Sequence, residues 1–218
     1  MKESYKIIFE DDYLIGVSKL GKLLVHPASK GDESTLTTVL AKKMGYKVYP
    51  CHRLDRETTG ILLYAKDKKT EQSIMNQFRN GLIQKEYLAL VKGRMKKFKG
   101  VLESMIIDKQ GAQHGEKEKN AKTIYRVIKF YGDFSLVKLR PLTGRTHQLR
   151  IQLAEIGHPI LGERTYAFGR DFKVKFRRLA LHACFLSFNH PLSSDRVDLK
   201  ADLPYDMQDL IKSKTDAV

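Results

Sequence analysis

An unbroken apolar run that directly follows a cluster of charges constrains the fold of this chain most strongly. Residues 61–65 read Ile-Leu-Leu-Tyr-Ala, and the charged or titratable residues just before them are His52, Arg53, Asp55, Arg56 and Glu57. Because the run does not alternate, it predicts a strand that is covered on both faces. The charges at its edge are either a solvated turn whose members pair off, or an active-site carboxylate held in a basic cleft.

Periodicity along the rest of the chain predicts the other elements. Strands are expected at 5–9, 13–18, 87–91, 101–107, 123–130, 134–139 and 179–188, and helices at 35–44 (capped by Ser34), 68–80 (burying Ile74, Met75 and Phe78), 146–156 (capped by Thr146 and burying Leu149, Leu153 and Ile156) and 205–211. Segment 108–122 is polar and predicts an exposed loop. Strands come in groups, so the predicted fold class is α+β, with a mainly antiparallel mixed sheet flanked by helices and loops. Residues 1–218 are predicted to form a single domain.

Net charge indicates the partner. The chain holds 40 Lys and Arg against 25 Asp and Glu, a formal charge of +15. A domain this basic usually binds a polyanion, because each neutralised phosphate releases a counterion. Nucleic acid is therefore favoured, and an anionic membrane surface or high surface charge alone is the alternative.

Two segments concentrate this charge. Residues 92–99 hold five basic side chains and no acid, and residues 163–178 hold six basic side chains against Glu163 and Asp171. The second segment also interleaves aromatic residues, namely Tyr166, Phe168, Phe172 and Phe176. Aromatic rings among cations suit a surface that follows phosphates and stacks on unstacked bases. The alternative is a solvated loop whose rings fold back into the core.

The compartment is predicted from what the chain lacks. Cys51 and Cys184 have no metal-ligand spacing and are interpreted as reduced thiols, which places the protein in the cytoplasm. The N-terminal residues lack the apolar region of a secretory signal. No run approaches the roughly 20 apolar residues of a membrane span, so no membrane partner is expected.

The candidate chemistry centres on Asp55. An arginine fork would keep this carboxylate ionised and oriented, and an oriented carboxylate can act as a nucleophile or as a base. Arg150 lies next to the apolar stripe that begins at Leu149, so its guanidinium needs an anionic partner, and it would supply this fork if Arg150 and Asp55 meet. These residues alone do not name the reaction.

A metal site is the alternative use of the same region. The histidines that could join Asp55 in such a site are His52, His147, His158 and His182. None of them has paired ligand spacing, so no metal is predicted. Glycine-rich nucleotide-binding patterns are also missing from the sequence, and no cofactor is expected.

Four ordered motifs carry a family resemblance. Residues 52–60 read H-R-L-D-R-E-T-T-G and resemble the H-R-L-D-x-x-T-S-G signature of RluA-type pseudouridine synthases. Segments 85–93, 143–162 and 179–183 resemble, in the same order, the strand with the active-site tyrosine, the arginine segment and a late strand of that family. The resemblance covers residues 7–205 and begins so early that we expect no accessory RNA-binding module before it. Lys19-Leu20-Gly21 lacks the family's proline, Thr59 replaces Ser, and Gln152 replaces a His, which predicts an altered RNA contact.

The resemblance implies an isomerase that converts uridines of structured RNA, rRNA and/or tRNA, to pseudouridine without metal or organic cofactor. Asp55 then acts on the ribose, Tyr87 stacks on the flipped base and helps to move a proton, and Arg150 pairs with the aspartate. The expected RNA-binding residues are Arg53, which fills the vacated stack, together with Arg56, Arg145, His147, Arg164, Lys173, Lys175, Arg177 and Arg178. We expect the protein to act as a monomer. The competing hypotheses are an RNA-binding protein that has lost catalysis and a metal-dependent nuclease.

Overall fold

The structure, a computed structural model, describes residues 4–26, 35–107, 118–167 and 172–215. Contacts divide the chain into unit 1 (Met1–Lys85 and His182–Pro204) and unit 2 (Glu86–Leu181 and Tyr205–Val218). The single domain over residues 1–218 stays a prediction. In chain order the elements are β1 (Tyr5–Glu10), β2 (Leu14–Lys19), α1 (Leu36–Met44), β3 (Tyr49–Pro50), β4 (Thr59–Ala65), α2 (Lys68–Arg79), β5 (Gln84–Lys92), β6 (Lys99–Ile107), β7 (Glu118–Phe130), β8 (Phe134–Pro141), α3 (Gln148–Glu155), β9 (Leu181–Asn189), β10 (Arg196–Lys200) and α4 (Tyr205–Thr215).

Unit 1 is built around β4. This strand pairs antiparallel with β2 and parallel with β9, while β1 extends the sheet beyond β2 and β10 extends it beyond β9. All seven residues of β4 are buried, which confirms the predicted strand with two covered faces. Leu63 belongs to a core that also contains Leu14, Ile74 and Phe188. Ile74 therefore fixes α2 against the sheet, whereas Met75, expected on the same face, is 38% exposed.

Unit 2 contains an antiparallel sheet in the order β5, β8, β7, β6. β7 begins at Glu118, so the predicted loop 108–122 is wrong for residues 118–122, and residues 108–117 lie outside the described part. Among the described residues of each unit, the strand pairings are antiparallel except that of β4 with β9. The predicted α+β class with a mainly antiparallel sheet is confirmed.

Helix starts differ from the predictions in two places. α1 is capped by Thr35, whose side chain accepts from the backbone of Thr38 in a capping box, while the expected cap Ser34 lies outside the described residues. α3 begins at Gln148 rather than after a Thr146 cap, because its N-cap residue, His147, has a left-handed backbone with φ of 55°. The short β3 and the edge strand β10 were not predicted: β3 has only two residues, whereas β10 reads R-V-D-L-K and does alternate polar and apolar residues, so this local signal was overlooked.

Two further observations bear on the sequence predictions. Cys51 is buried in the core of unit 1, Cys184 is half-buried, and both are free thiols. Among the helices of the described segments, none is long and apolar enough to cross a membrane.

Candidate active site

The motif loop between β3 and β4 is folded back along β4. The backbone N–H of Cys51 donates to the carbonyl of Leu63 (2.9 Å), and the N–H of Leu63 donates to Nε2 of His52 (3.1 Å). A turn closes when the N–H of Thr58 donates to the carbonyl of Asp55 (3.1 Å). Asp55 is half-buried on this turn. The loop is thus anchored on both sides of the carboxylate, which limits its reorientation.

A buried lysine lies beneath the same loop. The side chain of Lys19 is fully buried, and its Nζ donates to the carbonyl of Arg56 (2.8 Å). Nε of Arg56 in turn donates to the carbonyl of Lys22 (3.4 Å). Arg53 and Arg56 are both exposed. The sequence placed Lys19 only in an opening motif, whereas the structure shows that this residue stabilises the turn next to Asp55.

His52 is held neutral by its surroundings. Burial, followed by the charge of Lys85, lowers the pKa of His52 to about 3. The accepted hydrogen bond from Leu63 requires an unprotonated Nε2, which agrees with this direction. His52 therefore serves as a backbone acceptor that fixes the motif loop, and protonating it would break that contact.

We expect the protein to lose stability as the pH falls below the ordinary histidine value of 6.5. Below this pH, His52 is protonated in the unfolded chain but stays neutral in the folded protein. His52 should therefore lower the unfolding free energy by about 2 kcal/mol between roughly pH 6.5 and 5. Denaturant titrations across that window should give a smaller slope for His52→Gln than for the wild type. The pKa of His26 is also lowered, by burial and by Arg53, so His26→Gln measures how much of the wild-type slope comes from a second histidine. Equal slopes for the wild type and His52→Gln would contradict this role.

The end of the motif is locked to β9. Thr59 pairs with His182 and Gly60 with Ala183 across the parallel β4–β9 ladder. Nε2 of His182 lies 3.2 Å from the carbonyl of Ala201, which can only accept, so Nε2 carries the proton and Nδ1 accepts from the Thr59 hydroxyl at 2.9 Å. Thr59 keeps the hydroxyl that Ser has at this position of the family motif, and this hydroxyl donates a structural hydrogen bond to a buried histidine.

The histidines considered for a metal site have protein partners instead. His52 accepts from Leu63, and His182 bridges Thr59 and Ala201, as described above. Nδ1 of His158 donates to the carbonyl of Lys92 (2.8 Å). Among the described residues, no group of three or more His, Cys, Asp or Glu side chains is arranged to hold a metal ion.

Tyr87 lies on β5 in unit 2 and is half-buried. It pairs with Leu139 of β8, and since side chains alternate along a strand, it shares a face with the buried Ala89 and Val91. The Tyr87 side chain is therefore not fully buried. A half-buried ring can offer one face to a ligand while its strand keeps it in place.

Arg150 projects from α3 onto a buried carboxylate. Its Nε and Nη2 donate to the two oxygens of Glu163 at 2.7 and 2.9 Å, a bidentate fork. The Arg150 side chain is 13% exposed and that of Glu163 is fully buried. Burial alone would raise the pKa of Glu163, but the bonds from Arg150 and from the backbone of Thr165 and Tyr166 lower it overall.

The expected anionic partner of Arg150 was Asp55, which belongs to unit 1, and that pairing stays a prediction. Within unit 2 the partner is Glu163, which the sequence analysis counted only as an acid within a basic segment. Its position directly after the Gly157–Gly162 motif was the available signal. Local periodicity did not reveal this pairing, because Arg150 lies on α3 whereas Glu163 lies in the turn that follows the helix.

Two buried glutamines on α3 fix the arginine segment. Oε1 of Gln148 accepts from the hydroxyl of Thr143 (2.7 Å) and the N–H of Arg145 (3.0 Å), and its Nε2 donates to the hydroxyl of Thr123 (2.9 Å). Thr123 in turn donates to Oε1 of Gln152 (2.7 Å). Gln152 is only 1% exposed, so the predicted altered RNA contact is wrong. Its amide belongs to the interior, where it holds α3 against β7.

The predicted RNA-binding residues fall into three groups by exposure. His147 is half-buried with Nδ1 2.8 Å from the Tyr166 hydroxyl, and Arg145 is half-buried with Nε donating to the carbonyl of Asn120 (3.3 Å). Arg178 is buried. The exposed members are Arg53, Arg56, Arg164, Lys173, Lys175 and Arg177.

Arg178 requires a correction. Its Nε and Nη2 donate to the carboxylate of Asp206 at 2.6 and 2.7 Å, and Nη1 donates to the carbonyl of Leu179 at 2.7 Å. With 5% of its surface exposed, it cannot present its charge to a phosphate. Arg178 instead fixes α4 to the rest of unit 2.

The three interleaved aromatic rings that the structure describes each have a cation near the ring. Arg150 lies 5.2 Å from the ring centre of Tyr166, Lys92 lies 5.9 Å from that of Phe172, and Arg178 lies 5.5 Å from that of Phe176. All three rings are half-buried, and Phe168 lies outside the described residues. These rings therefore support the basic side chains from below instead of standing as open stacking platforms.

Comparison with known proteins identifies the family. A profile of the RNA pseudouridylate synthases matches residues 13–155, a range that includes Asp55, Tyr87 and Arg150. The chain belongs to the RNA pseudouridine synthases of the RluA type. As a member of this family it is an isomerase that acts on uridine in RNA.

Individual relatives agree with this assignment. The pseudouridine synthase is 34% identical to the ribosomal large subunit pseudouridine synthase D of Zymomonas mobilis, over 95% of this chain and 72% of that protein. It is 31% identical to the tRNA pseudouridine synthase C of Vibrio parahaemolyticus, over 94% and 93% of the two chains. Its fold is similar to that of human RNA pseudouridylate synthase domain containing 4, with a TM-score of 0.80 at 24% identity over 96% and 92% of the chains.

Proposed function

We propose that this pseudouridine synthase isomerises specific uridines of structured rRNA and/or tRNA, with Asp55 as its catalytic carboxylate. The observation that carries the proposal is the anchored loop that holds Asp55 between two exposed arginines, within a family whose motif this loop matches. Asp55 acts on the ribose while the bond between N1 of uracil and C1′ breaks. The free base then turns, C5 bonds to C1′, and the proton lost from C5 is balanced by one gained at N1.

The other two proposed catalytic residues have distinct tasks. Tyr87 stacks on the displaced base and assists the movement of the C5 proton, which suits a half-buried ring on a strand. Arg150 pairs with the catalytic aspartate. Its guanidinium cannot lose its charge at physiological pH, so it stabilises an anion without competing for the proton.

RNA capture is proposed to combine phosphate contacts with extrusion of the target nucleotide. Extrusion costs a few kcal/mol, and stacking on an aromatic side chain can return about 1–3 kcal/mol. The exposed Arg53, next to Asp55 in the loop, fills the stack that the nucleotide leaves. Phosphate contacts supply the remainder, and the net charge of +15 supports them. The free thiols Cys51 and Cys184 suit a cytoplasmic location, which we also propose.

The test offers purified protein the total RNA of cells that lack its gene, followed by mapping of pseudouridine at single-nucleotide resolution. Total RNA is chosen because the named relatives divide between rRNA and tRNA. We expect new pseudouridine at a few defined positions.

Reversing the exposed charges Lys173, Lys175 and Arg177 to Glu should weaken RNA binding at least tenfold at physiological salt and flatten its salt dependence.

The matched control reverses three exposed lysines of unit 1, Lys42, Lys69 and Lys200, which gives the same change in net charge. That variant should bind RNA more tightly than the triple variant at 173, 175 and 177. Equal weakening in the two variants would show that net charge alone governs binding. No new pseudouridine in any RNA class would contradict the proposed function.

A further inference from the structure

Glu163 accepts four hydrogen bonds in the turn after α3. Its two oxygens accept the Arg150 fork, and Oε1 also accepts the backbone N–H groups of Thr165 (2.7 Å) and Tyr166 (3.2 Å). The side chain is fully buried. A carboxylate with four donors and no solvent contact has one orientation, and it transmits that orientation to its partner.

The backbone beneath Glu163 is equally constrained. Gly162 has φ of +82°, and a Cβ at this position would lie 1.9 Å from the carbonyl oxygen of Arg178. The N–H of Leu161 donates to the carbonyl of Leu90 (2.8 Å), and the N–H of Ala180 donates to the carbonyl of Leu161 (2.9 Å). Gly162 is therefore packed against segment 178–180, and Leu161 is bonded both to that segment and to Leu90 of β5. Glu163 projects from a fixed point.

Two further contacts hold the Arg150 guanidinium. Nη2 donates to the hydroxyl of Thr165 (3.2 Å), and the ring of Tyr166 lies 5.2 Å below the guanidinium carbon. The Tyr166 ring is itself held by its hydroxyl, 2.8 Å from Nδ1 of His147 at the start of α3. The plane of the guanidinium is thus set by a fork on one edge and a ring on one face.

We propose that Glu163 is a positioning residue that orients Arg150 for the isomerisation. The inference rests on the proposed function, in which Arg150 stabilises the catalytic aspartate. A long arginine side chain has many rotamers, and the Glu163 fork selects the one in which the direction of the remaining Nη is fixed before RNA arrives. Glu163 itself acts through Arg150 and does not contact the reacting atoms.

The positioning role of Glu163 is tested by the conversion rates of single variants and of the double variant. Under single-turnover conditions with saturating RNA, Glu163→Gln should lower the conversion rate at least tenfold, while the RNA dissociation constant stays within twofold of wild type. Arg150→Lys, which removes the fork, should cause a comparable loss. The double variant should then be no more than threefold slower than Arg150→Lys, because both changes remove the same interaction. Glu103→Gln, at an exposed carboxylate paired with Lys122, is the matched control and should turn over like wild type.

A second readout does not depend on activity. In protein labelled with 15N-arginine, the Nε–H of Arg150 should exchange slowly with water, and this protection should be lost in Glu163→Gln. Glu163→Asp keeps the negative charge, so its conversion rate should lie between those of Glu163→Gln and the wild type. If Glu163→Gln folds poorly, Glu163→Asp replaces it in the rate measurement. The assignment would be overturned if the rate loss of the double variant equalled the product of the two single losses. It would also be overturned if the Nε–H of Arg150 in the wild type exchanged as fast as that of the exposed Arg164. An inactive wild type would instead count against the proposed function, and the exchange measurement would still decide the role of Glu163.

Discussion

Gly60→Ala is expected to unfold unit 1 far below the melting temperature of the wild-type protein. The backbone of Gly60 has φ of +107°, and a Cβ built on it would lie 2.1 Å from the carbonyl oxygen of Ala183 and 2.7 Å from that residue's carbonyl carbon and nitrogen. These atoms belong to β9, which pairs with β4 at this residue, so neither strand can move without breaking the ladder. We expect a loss of about 4 kcal/mol or more and a melting temperature lower by about 10 °C or more.

Gly45→Ala is the control for this experiment. Gly45 also has a positive φ, +77°, but nothing lies within 4 Å of a Cβ at that position. Its substitution should cost only the left-handed backbone penalty of about 1–2 kcal/mol. Thermal denaturation followed by circular dichroism compares the two variants directly. Equal melting temperatures would contradict the account, because the close approach of β9 is the feature that separates the two glycines.

This pair of glycines shows what the sequence could predict. The apolar run 61–65 predicted a strand buried on both faces, and the structure confirms it because burial on two sides leaves no polar position to alternate. The glycine at the end of the motif was recognised only by resemblance. Its physical reason is the parallel strand β9, which lies more than 100 residues further along the chain and leaves no local pattern.

The candidate site was predictable to a similar extent. Charge and motif predicted that Asp55 lies at the edge of a strand buried on both faces, and that strand is present. The residues that fix the site were missed, because each supports it from a distant segment. Lys19 bonds to the loop from β2, and Glu163 bonds to Arg150 from the turn after α3. A local pattern cannot reveal partners of this kind.

Burial explains the two residues whose predicted roles were wrong. Arg178 was assigned to RNA because it ends a basic segment, yet its fork with Asp206 of α4 turns it inward. Gln152 was taken as an RNA contact because a family position differs there, yet its amide bonds to the backbone of Leu102 and Ala121 inside unit 2. A long polar side chain satisfied by interior partners has the same sequence signature as one that faces solvent.

Asp55→Asn is expected to abolish pseudouridine formation while leaving RNA binding close to wild type. The substitution is nearly isosteric and removes only the anion, so the loop bonds of its backbone carbonyl and of His52 are retained. Loss of the proposed nucleophile or base should slow conversion by about 10⁴-fold or more, even at saturating enzyme. RNA affinity should change by less than about twofold, because it derives mainly from phosphate contacts. Glu57→Gln, in the same loop, is the matched control and should retain activity.

The most direct test of the account is single-turnover conversion of a cellular RNA by Asp55→Asn, with RNA affinity and melting temperature measured on the same preparation. If Asp55 is the catalytic carboxylate, Asp55→Asn keeps the wild-type affinity and melting temperature and forms no detectable pseudouridine in the time that the wild type needs to complete the conversion. Measurable conversion by Asp55→Asn would contradict the assignment of Asp55 as the catalytic carboxylate. Lost binding with a normal melt would also contradict it, because Asp55 would then serve to dock the RNA.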